Sequence, residues 1–299
     1  MHTPKTGVQE HAGESMATTE QSTARVSSPP HPQTRGWREV LGAFAPNRVV
    51  SKTTIRLIVV VQVGILLLVW ATSSYPFLPK PMAVLSALID LWNHEGLGQE
   101  LATSFTLNLQ AMAWTTVISL GLAYLTVVPA FRPIVLAISK GRFLGMVGLT
   151  FFFTLILSSG HRLKVGLLVF GVSVFFVTSM VDVVAQVPKE KFDLARTLRM
   201  GEWRVVWEVI VLGRADAAFD VMRQNAAMGW MMLTMVEGIS RSEGGVGALL
   251  LNQNKHFRLE AVFAIQICIL LIGLVQDYGI GLAKKFICPY ADLELERRS

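Results

Sequence analysis

Six stretches of the chain are apolar runs of near membrane-crossing length: residues 55–72, 107–128, 133–158, 163–181, 217–239 and 259–282. A helix rises about 1.5 Å per residue, so roughly 20 apolar residues cross a hydrocarbon core of about 30 Å. The fourth run is the cleanest, with V-G-L-L-V-F-G-V-S-V-F-F-V at its centre. The third is interrupted by Lys140 and Arg142, which places its spanning core from about Phe143 onward. The fifth is the weakest because Asp220 and Arg223 fall inside it, whereas the sixth has an uncharged centre over 261–276. The pattern predicts an all-α polytopic membrane protein of about six transmembrane helices, with the membrane domain over 51–290.

Between the fourth and fifth runs lies a segment of different character. Residues 188–213 read P-K-E-K-F-D-L-A-R-T-L-R-M-G-E-W-R-V-V-W-E-V-I-V-L-G, a charged stretch with helical periodicity. Phe192, Ala195 and Leu198 recur at three-residue spacing, Met200-Gly201 marks a break, and Trp203, Val206 and Ile210 restart a helical stripe. Two short helices meeting at a bend are predicted, with Lys191, Arg199 and Glu202 offering charges to a soluble partner. The competing reading is an anchor lying in the headgroup layer, its Trp residues at the interface. Periodicity alone leaves these two even.

The ends of the chain are unlike the middle. Residues 1–50 are rich in Ser, Thr, Pro, Gln, Gly and His without aliphatic periodicity, the composition of a disordered tail, and 291–299 form a short charged C-terminal tail. No charged segment followed at once by an apolar core opens the chain, so a cleavable signal peptide is not expected. His2, His11 and His31 have no ligand-like spacing and read as solvated tail residues.

Charge then orients the spans. Arg48, Lys52 and Arg56 precede the first, Arg132, Lys140 and Arg142 separate the second and third, Lys189, Lys191, Arg196, Arg199 and Arg204 follow the fourth, and Lys284 and Lys285 follow the sixth. All fall on one side of a six-span chain, which the positive-inside bias makes cytoplasmic, together with both termini. Residues 73–106 hold Lys80 against Asp90, Glu95 and Glu100; His161, Arg162 and Lys164 on the same side run against the bias. The net charge of +6 reflects these juxtamembrane clusters rather than a nucleic-acid footprint. A mean hydropathy of +0.48 with 52% hydrophobic residues is beyond the usual soluble domain.

Candidate chemistry is sparse. Cys268 and Cys288 suggest neither a disulfide framework nor a metal site, and H-E-x-x-H and G-x-S-x-G are absent. No G-x-x-x-x-G-K-[ST] loop exists; the segment G-H-R-L-K-V-G at 160–166 lacks the Gly-Lys pair. The chain is therefore expected to be no enzyme and to hold no cofactor. Within the apolar runs Asp216, Asp220, Arg223, Asn225 and Glu237 stand out, and the spacing of Asp216, Asp220 and Arg223 places them on one helix face. Asp220, Arg223 and Glu237 are candidates for a translocation path or gate. For the first two the alternative is an interfacial salt bridge that positions a helix; for Glu237 it is a capping role at the far interface.

Several short matches together resemble the permease subunits of ABC importers of the nitrate/sulfonate/taurine/bicarbonate type. They are Phe175-Phe176 with Met180-Val181-Asp182, Val187-Pro188, Asp193 through Leu198, and Trp203-Arg204-Val205. Outside the loop, Phe77-Leu78-Pro79 with Pro81, Ser104, Arg223, Glu237, Gly245-Val246-Gly247 and Asp277 fall in the same order as in that family. The resemblance covers about residues 55–290 and implies a type I importer permease fold in a bacterial inner membrane. It makes 188–213 a divergent EAA motif, whose coupling helix sits in a groove of a cytoplasmic ATPase. Lys191, Asp193, Ala195, Arg196, Leu198, Arg199, Gly201 and Trp203 are the coupling residues so implied. The departures are specific: Glu-Ala-Ala is Asp193-Leu194-Ala195, the family's Gly is Arg199, its closing Leu-Pro is Val211-Leu212, and a Pro is replaced within L-G-M-V-G-L-T at 144–150.

The implied assembly is an ABC ATPase dimer carrying ATP-Mg, a second permease subunit as homo- or heterodimer, an extracytoplasmic substrate-binding protein and surrounding lipid. Transport would proceed by alternating access, with the loop as lever. Two other readings stay open: a divergent non-transporting or heterodimer-partner scaffold subunit, and an ATP-independent secondary transporter.

Overall fold

The computed structural model describes residues 51–73, 75, 77–157, 160–240 and 244–289. The two tails lie outside the described residues. Helices occupy each of the six predicted positions, and no strand occurs among the described residues. The chain divides into two compact units, residues 1–66 and 67–299. Of the first, the described part is most of helix α1 (Lys52–Thr72). Its side chains from Val59 to Leu68 are almost uniformly exposed and apolar, a surface suited to hydrocarbon rather than water.

The second unit is a bundle. Helix α2 (Pro81–His94) begins with Pro at its first position, where a missing N–H costs nothing. It leads through Gly96, held at φ +67°, into α3 (Leu97–Leu125). Two shorter helices follow, α4 (Arg132–Ser139) and α5 (Met146–Leu157), then the long α6 (His161–Ala185). The 188–213 segment comprises α7 (Lys189–Thr197), α8 (Glu202–Val205) and a wide-turned π-helical stretch (Val206–Leu212). Helices α9 (Ala215–Ile239), α10 (Val246–Lys255) and α11 (Leu259–Ile287) complete it.

Side-chain contacts fix the directions. Gln110 meets His161, Ser119 meets the Ser173 carbonyl, and Ala123 packs with Phe176 and Met180, so α3 and α6 run parallel. Met180 also packs with Val221, while a Cβ on Gly171 would touch Met232, so α9 runs opposite to α6. Trp230 with Gln276 and Asp220 with Lys284 make α11 antiparallel to α9. The largest apolar core lies away from the 188–213 loop and joins Leu91, Leu97, Leu101, Leu107, Leu168, Leu233, Val246 and Ile265.

The third predicted span needs correction. Instead of one helix over 133–158, α4 with a 3-10 turn (Lys140–Phe143) and α5 are bent by 114° at their junction. A Cβ on Gly141 would lie 3.1 Å from Val174 and 3.8 Å from Phe170, so the break sits beside the middle of α6. Lys140 and Arg142 are therefore beside mid-helix, not at a helix end as the charge count assumed. Two charges in the turn disfavour an unbroken apolar helix, and the Arg142 guanidinium lies over the Phe143 ring at 5.2 Å.

Among the described residues, α6, α11 and most of α1 are long and apolar enough to cross a membrane, and the bent pair makes a fourth crossing if counted as one. Helices α3 and α9, with 29 and 25 residues, have the length but not the apolar composition. Their polar side chains are turned inward: Ser104, Asn108, Thr115 and Ser119 of α3 and Asn225 and Glu237 of α9 are buried. A polar residue in such a bundle is tolerated where protein, not lipid, faces it.

Candidate functional site

At one end of the bundle, the 188–213 segment is built from a short amphipathic helix, a sharp reversal and a Trp-bearing restart. Pro188 takes the N-cap position with extended ψ, Glu190 stands in the first turn, and Arg196 in the last, both signs favourable to the helix dipole. Ala195 is the buried residue of α7, and Val205 and Ile210 anchor the following turns. Around these fixed points Leu194 and Leu198 are each 63% exposed, Trp203 76% and Trp207 57%. Large apolar side chains held outward on an anchored scaffold form a surface ready to be covered.

The reversal has a defined geometry. The Met200 N–H donates to the Ala195 carbonyl at 3.2 Å and the Arg199 N–H to the Arg196 carbonyl at 2.9 Å, the two bonds of a Schellman motif. The residue after the C-cap must then be left-handed, and it is Arg199, at φ +55°. That conformation costs a residue with a Cβ about 1–2 kcal/mol. Gly201, predicted as the break, is extended with φ −66° and open space around it, so the backbone freedom is used at Arg199. Gly213 closes the segment: its N–H donates to the Glu208 carbonyl at 3.0 Å, and any Cβ would run into the Val209 carbonyl oxygen.

Arg196 ties the two short helices together, 3.4 Å from Glu202 and 3.9 Å from Asp193, and Arg204 lies 4.0 Å from Glu208. These pairs are exposed and weak. Of the three charges predicted to face a partner, Lys191 and Arg199 have no ion pair among the described residues, while Glu202 is met by Arg196.

The three candidate path residues separate into two places. Asp220 and Arg223 sit near the loop end of α9 and pair across to α11 rather than with each other. Lys284 Nζ lies 2.7 Å from Asp220, and the Arg223 guanidinium grips Asp277 with two hydrogen bonds of 2.9 and 2.6 Å. With Tyr278, Gly281 and Lys285 they line an open concave face. All four charged side chains remain partly solvent-accessible, Arg223 and Asp277 at 42% each.

Glu237 is at the opposite end of α9 and is 1% exposed. Ser104 donates to it at 2.7 Å and the Gly247 N–H at 2.8 Å, while the Val246 N–H donates to Ser104 at 2.8 Å. The Gly245 N–H donates to Glu100, and buried Lys164 donates to the Gly244 carbonyl at 2.8 Å. Two carboxylates and a hydroxyl thus satisfy the first free N–H groups of α10, an N-terminal cap assembled from two other helices, with Lys164 of a third holding the Gly244 carbonyl. The glycine run is needed here: Gly244 and Gly245 have φ +68° and +105°, and a Cβ on Gly247 would come within 2.8 Å of the Thr234 Cα. Lys164, which ran against the charge bias, is explained as a member of this buried network.

Two further polar clusters had no sequence signal, because each joins residues more than 40 positions apart. In the bundle interior Asn108 and Trp230 both donate to Gln276 Oε1, at 2.9 and 2.7 Å. At the far end Arg258 bridges Glu95 at 2.5 Å and Asp90 at 3.0 Å, and those carboxylates hold its guanidinium above its ordinary range, Glu95 contributing most. Among the described residues no cluster of His, Cys, Asp or Glu is arranged to hold a metal.

Comparison with known proteins supports one kind of molecule. No family model matches the sequence. Over 97 residues, 32% of this chain, it is 29% identical to a putative ABC transporter permease protein of Methanocaldococcus jannaschii, and the match spans about a third (36%) of that relative's length. A chain of the MetNI methionine ABC transporter, solved in inward-facing conformations, shares the fold with a TM-score of 0.53 at 15% identity, covering 64% of this chain and 94% of that one. In sequence over about a third of its length this all-α membrane protein is similar to a putative ABC transporter permease, and in fold over about two thirds of its length to a chain of an ABC transporter.

Proposed function

We propose that this chain is the membrane-spanning permease subunit of an ATP-driven ABC importer, working with a separate cytoplasmic ATPase that binds ATP-Mg. The observation that carries the reading is the 188–213 segment: anchored by buried Ala195, Val205 and Ile210, yet presenting Leu194, Leu198, Trp203 and Trp207 outward. A headgroup anchor needs an apolar face but not a fixed reversal between two helices. A docking element needs both, and that is what supports the ATPase reading. The loop end of the bundle is then cytoplasmic, as are both termini, in a bacterial inner membrane.

In this reading Lys191, Asp193, Ala195, Arg196, Leu198, Arg199, Gly201 and Trp203 form the coupling element. The Asp220–Lys284 and Arg223–Asp277 face is the part of the path this subunit contributes. Half-exposed ion pairs on membrane helices are costly against lipid, so a second permease subunit or a water-filled passage covers them. A substrate-binding protein would deliver the solute at the other end. Glu237 is a structural cap rather than a gate, because its oxygens already serve the α10 N-terminus. ATP-driven closure of the ATPase dimer would move α7 and α8 as a lever on α6 and α9.

The test is purification of the full-length chain from native membranes in mild detergent. An ATPase that co-purifies and is lost on Trp203→Ala, with the permease still inserted, is the expected result. Recovery without any ATPase overturns the reading.

A further inference from the structure

Resting on the docking role just proposed, we infer that Arg199 determines which ATPase surface this chain accepts, by engaging a carboxylate of that partner. Lys191, Leu194 and Leu198 recur at spacings of three and four and are all exposed, so they form one stripe along α7. Arg199 follows Leu198 directly, just past the helix, and is also exposed. In chain order, one exposed cation precedes the two exposed leucines and another follows them. Neither cation has an ion pair among the described residues, although the same segment carries Asp193, Glu202 and Glu208, which pair with Arg196 and Arg204. An apolar centre flanked by unpaired cations is complementary to a groove whose rim carries carboxylates.

The backbone adds an independent argument. At φ +55° Arg199 occupies the position of a Schellman motif where Gly is the unstrained choice and Asn the next. Neither is there. Strain kept at a position where a common residue would relieve it points to use of the side chain. The left-handed backbone turns the chain after Leu198 and leaves Arg199 exposed at the reversal.

The two arguments predict opposite signs for stability and binding. The measurement is affinity of the full-length, detergent-solubilised chain for the ATPase that co-purifies with it, alongside the melting temperature of the chain alone. Arg199→Gly and Arg199→Asn are expected to bind about fivefold more weakly while melting at the same or a higher temperature. Arg199→Lys should keep most of the affinity. Arg199→Glu should lose about tenfold or more at 0.1 M salt, and the losses should shrink at about 0.5 M salt, where screening is stronger. Unchanged affinity in the Gly and Asn variants overturns the inference and leaves the docking reading standing, as does a parallel fall in affinity and melting temperature. If no ATPase co-purifies with the wild-type chain, both readings fall.

Discussion

The 188–213 loop and the Glu237 cap hold similar residue types, carboxylates, cations and glycines, yet use them in opposite ways. Around Glu237 the charged and hydroxyl groups are buried, and their hydrogen bonds join α3, α6, α9 and the start of α10. Along the loop the charges are exposed and their pairs are long, and the apolar side chains face outward. The first arrangement resists change because each group would be left unsatisfied in a low-dielectric interior. The second leaves its interactions incomplete within the chain. Burial and satisfaction, rather than the presence of an ionisable residue in an apolar run, separate the structural from the functional candidates.

Breaking the cap should give the largest effect. Glu237→Ala removes the acceptor of both Ser104 and Gly247 and leaves Lys164 without its nearby carboxylate; a loss of about 3–5 kcal/mol is expected, read as loss of folded protein or a large fall in melting temperature in detergent. Gly247→Ala forces a Cβ into the Thr234 backbone and should cost about 1–3 kcal/mol by the same assay. Neither change touches the loop, so ATPase binding by whatever folds should be retained.

Changes in the loop should invert this pattern. Trp203→Ala is expected to cost about 2 kcal/mol of ATPase affinity while moving the chain's own stability by less than about 0.5 kcal/mol. Arg196→Glu meets Asp193 and Glu202 with like charge and should weaken association without affecting membrane insertion. Equal losses of stability in loop and cap variants would remove the distinction between the two regions.

Between these extremes lies the Asp220, Arg223, Asp277 and Lys284 face. Arg223→Leu should lower transport in reconstituted vesicles with only a small drop in melting temperature, because the pair it breaks is half-exposed. A large drop would make the pair a helix clamp. The smallest effect belongs to Gly201→Ala: its backbone is extended and a Cβ meets open space, so stability should hold or rise by about 0.5 kcal/mol.

The contrast between Gly201 and Arg199 shows how far local reading reaches. Met200-Gly201 correctly marks a break in the helical pattern, since glycine punctuates sequence. Which residue takes the left-handed backbone is decided by the Schellman hydrogen bonds, and those put it at Arg199. The third apolar run makes the same point. Its hydrophobicity announces membrane helix, yet the 114° bend comes from how α4 and α5 each find a surface on α6. Lys164 looked like a misplaced surface charge because its partners, the Gly244 carbonyl and the neighbouring Glu237, lie about 80 residues away.

By itself the sequence determined that the chain is helical and membrane-embedded, and that a charged loop of helical periodicity lies between its fourth and fifth apolar runs. Those properties follow from hydrophobicity and spacing, which are local and periodic. Only the tertiary structure decided that Glu237 caps α10 while Asp220 and Arg223 turn to α11, and that Arg199 takes a left-handed backbone with no ion pair among the described residues. These depend on which distant groups come within hydrogen-bonding reach, and helix packing, rather than residue spacing along the chain, sets that distance.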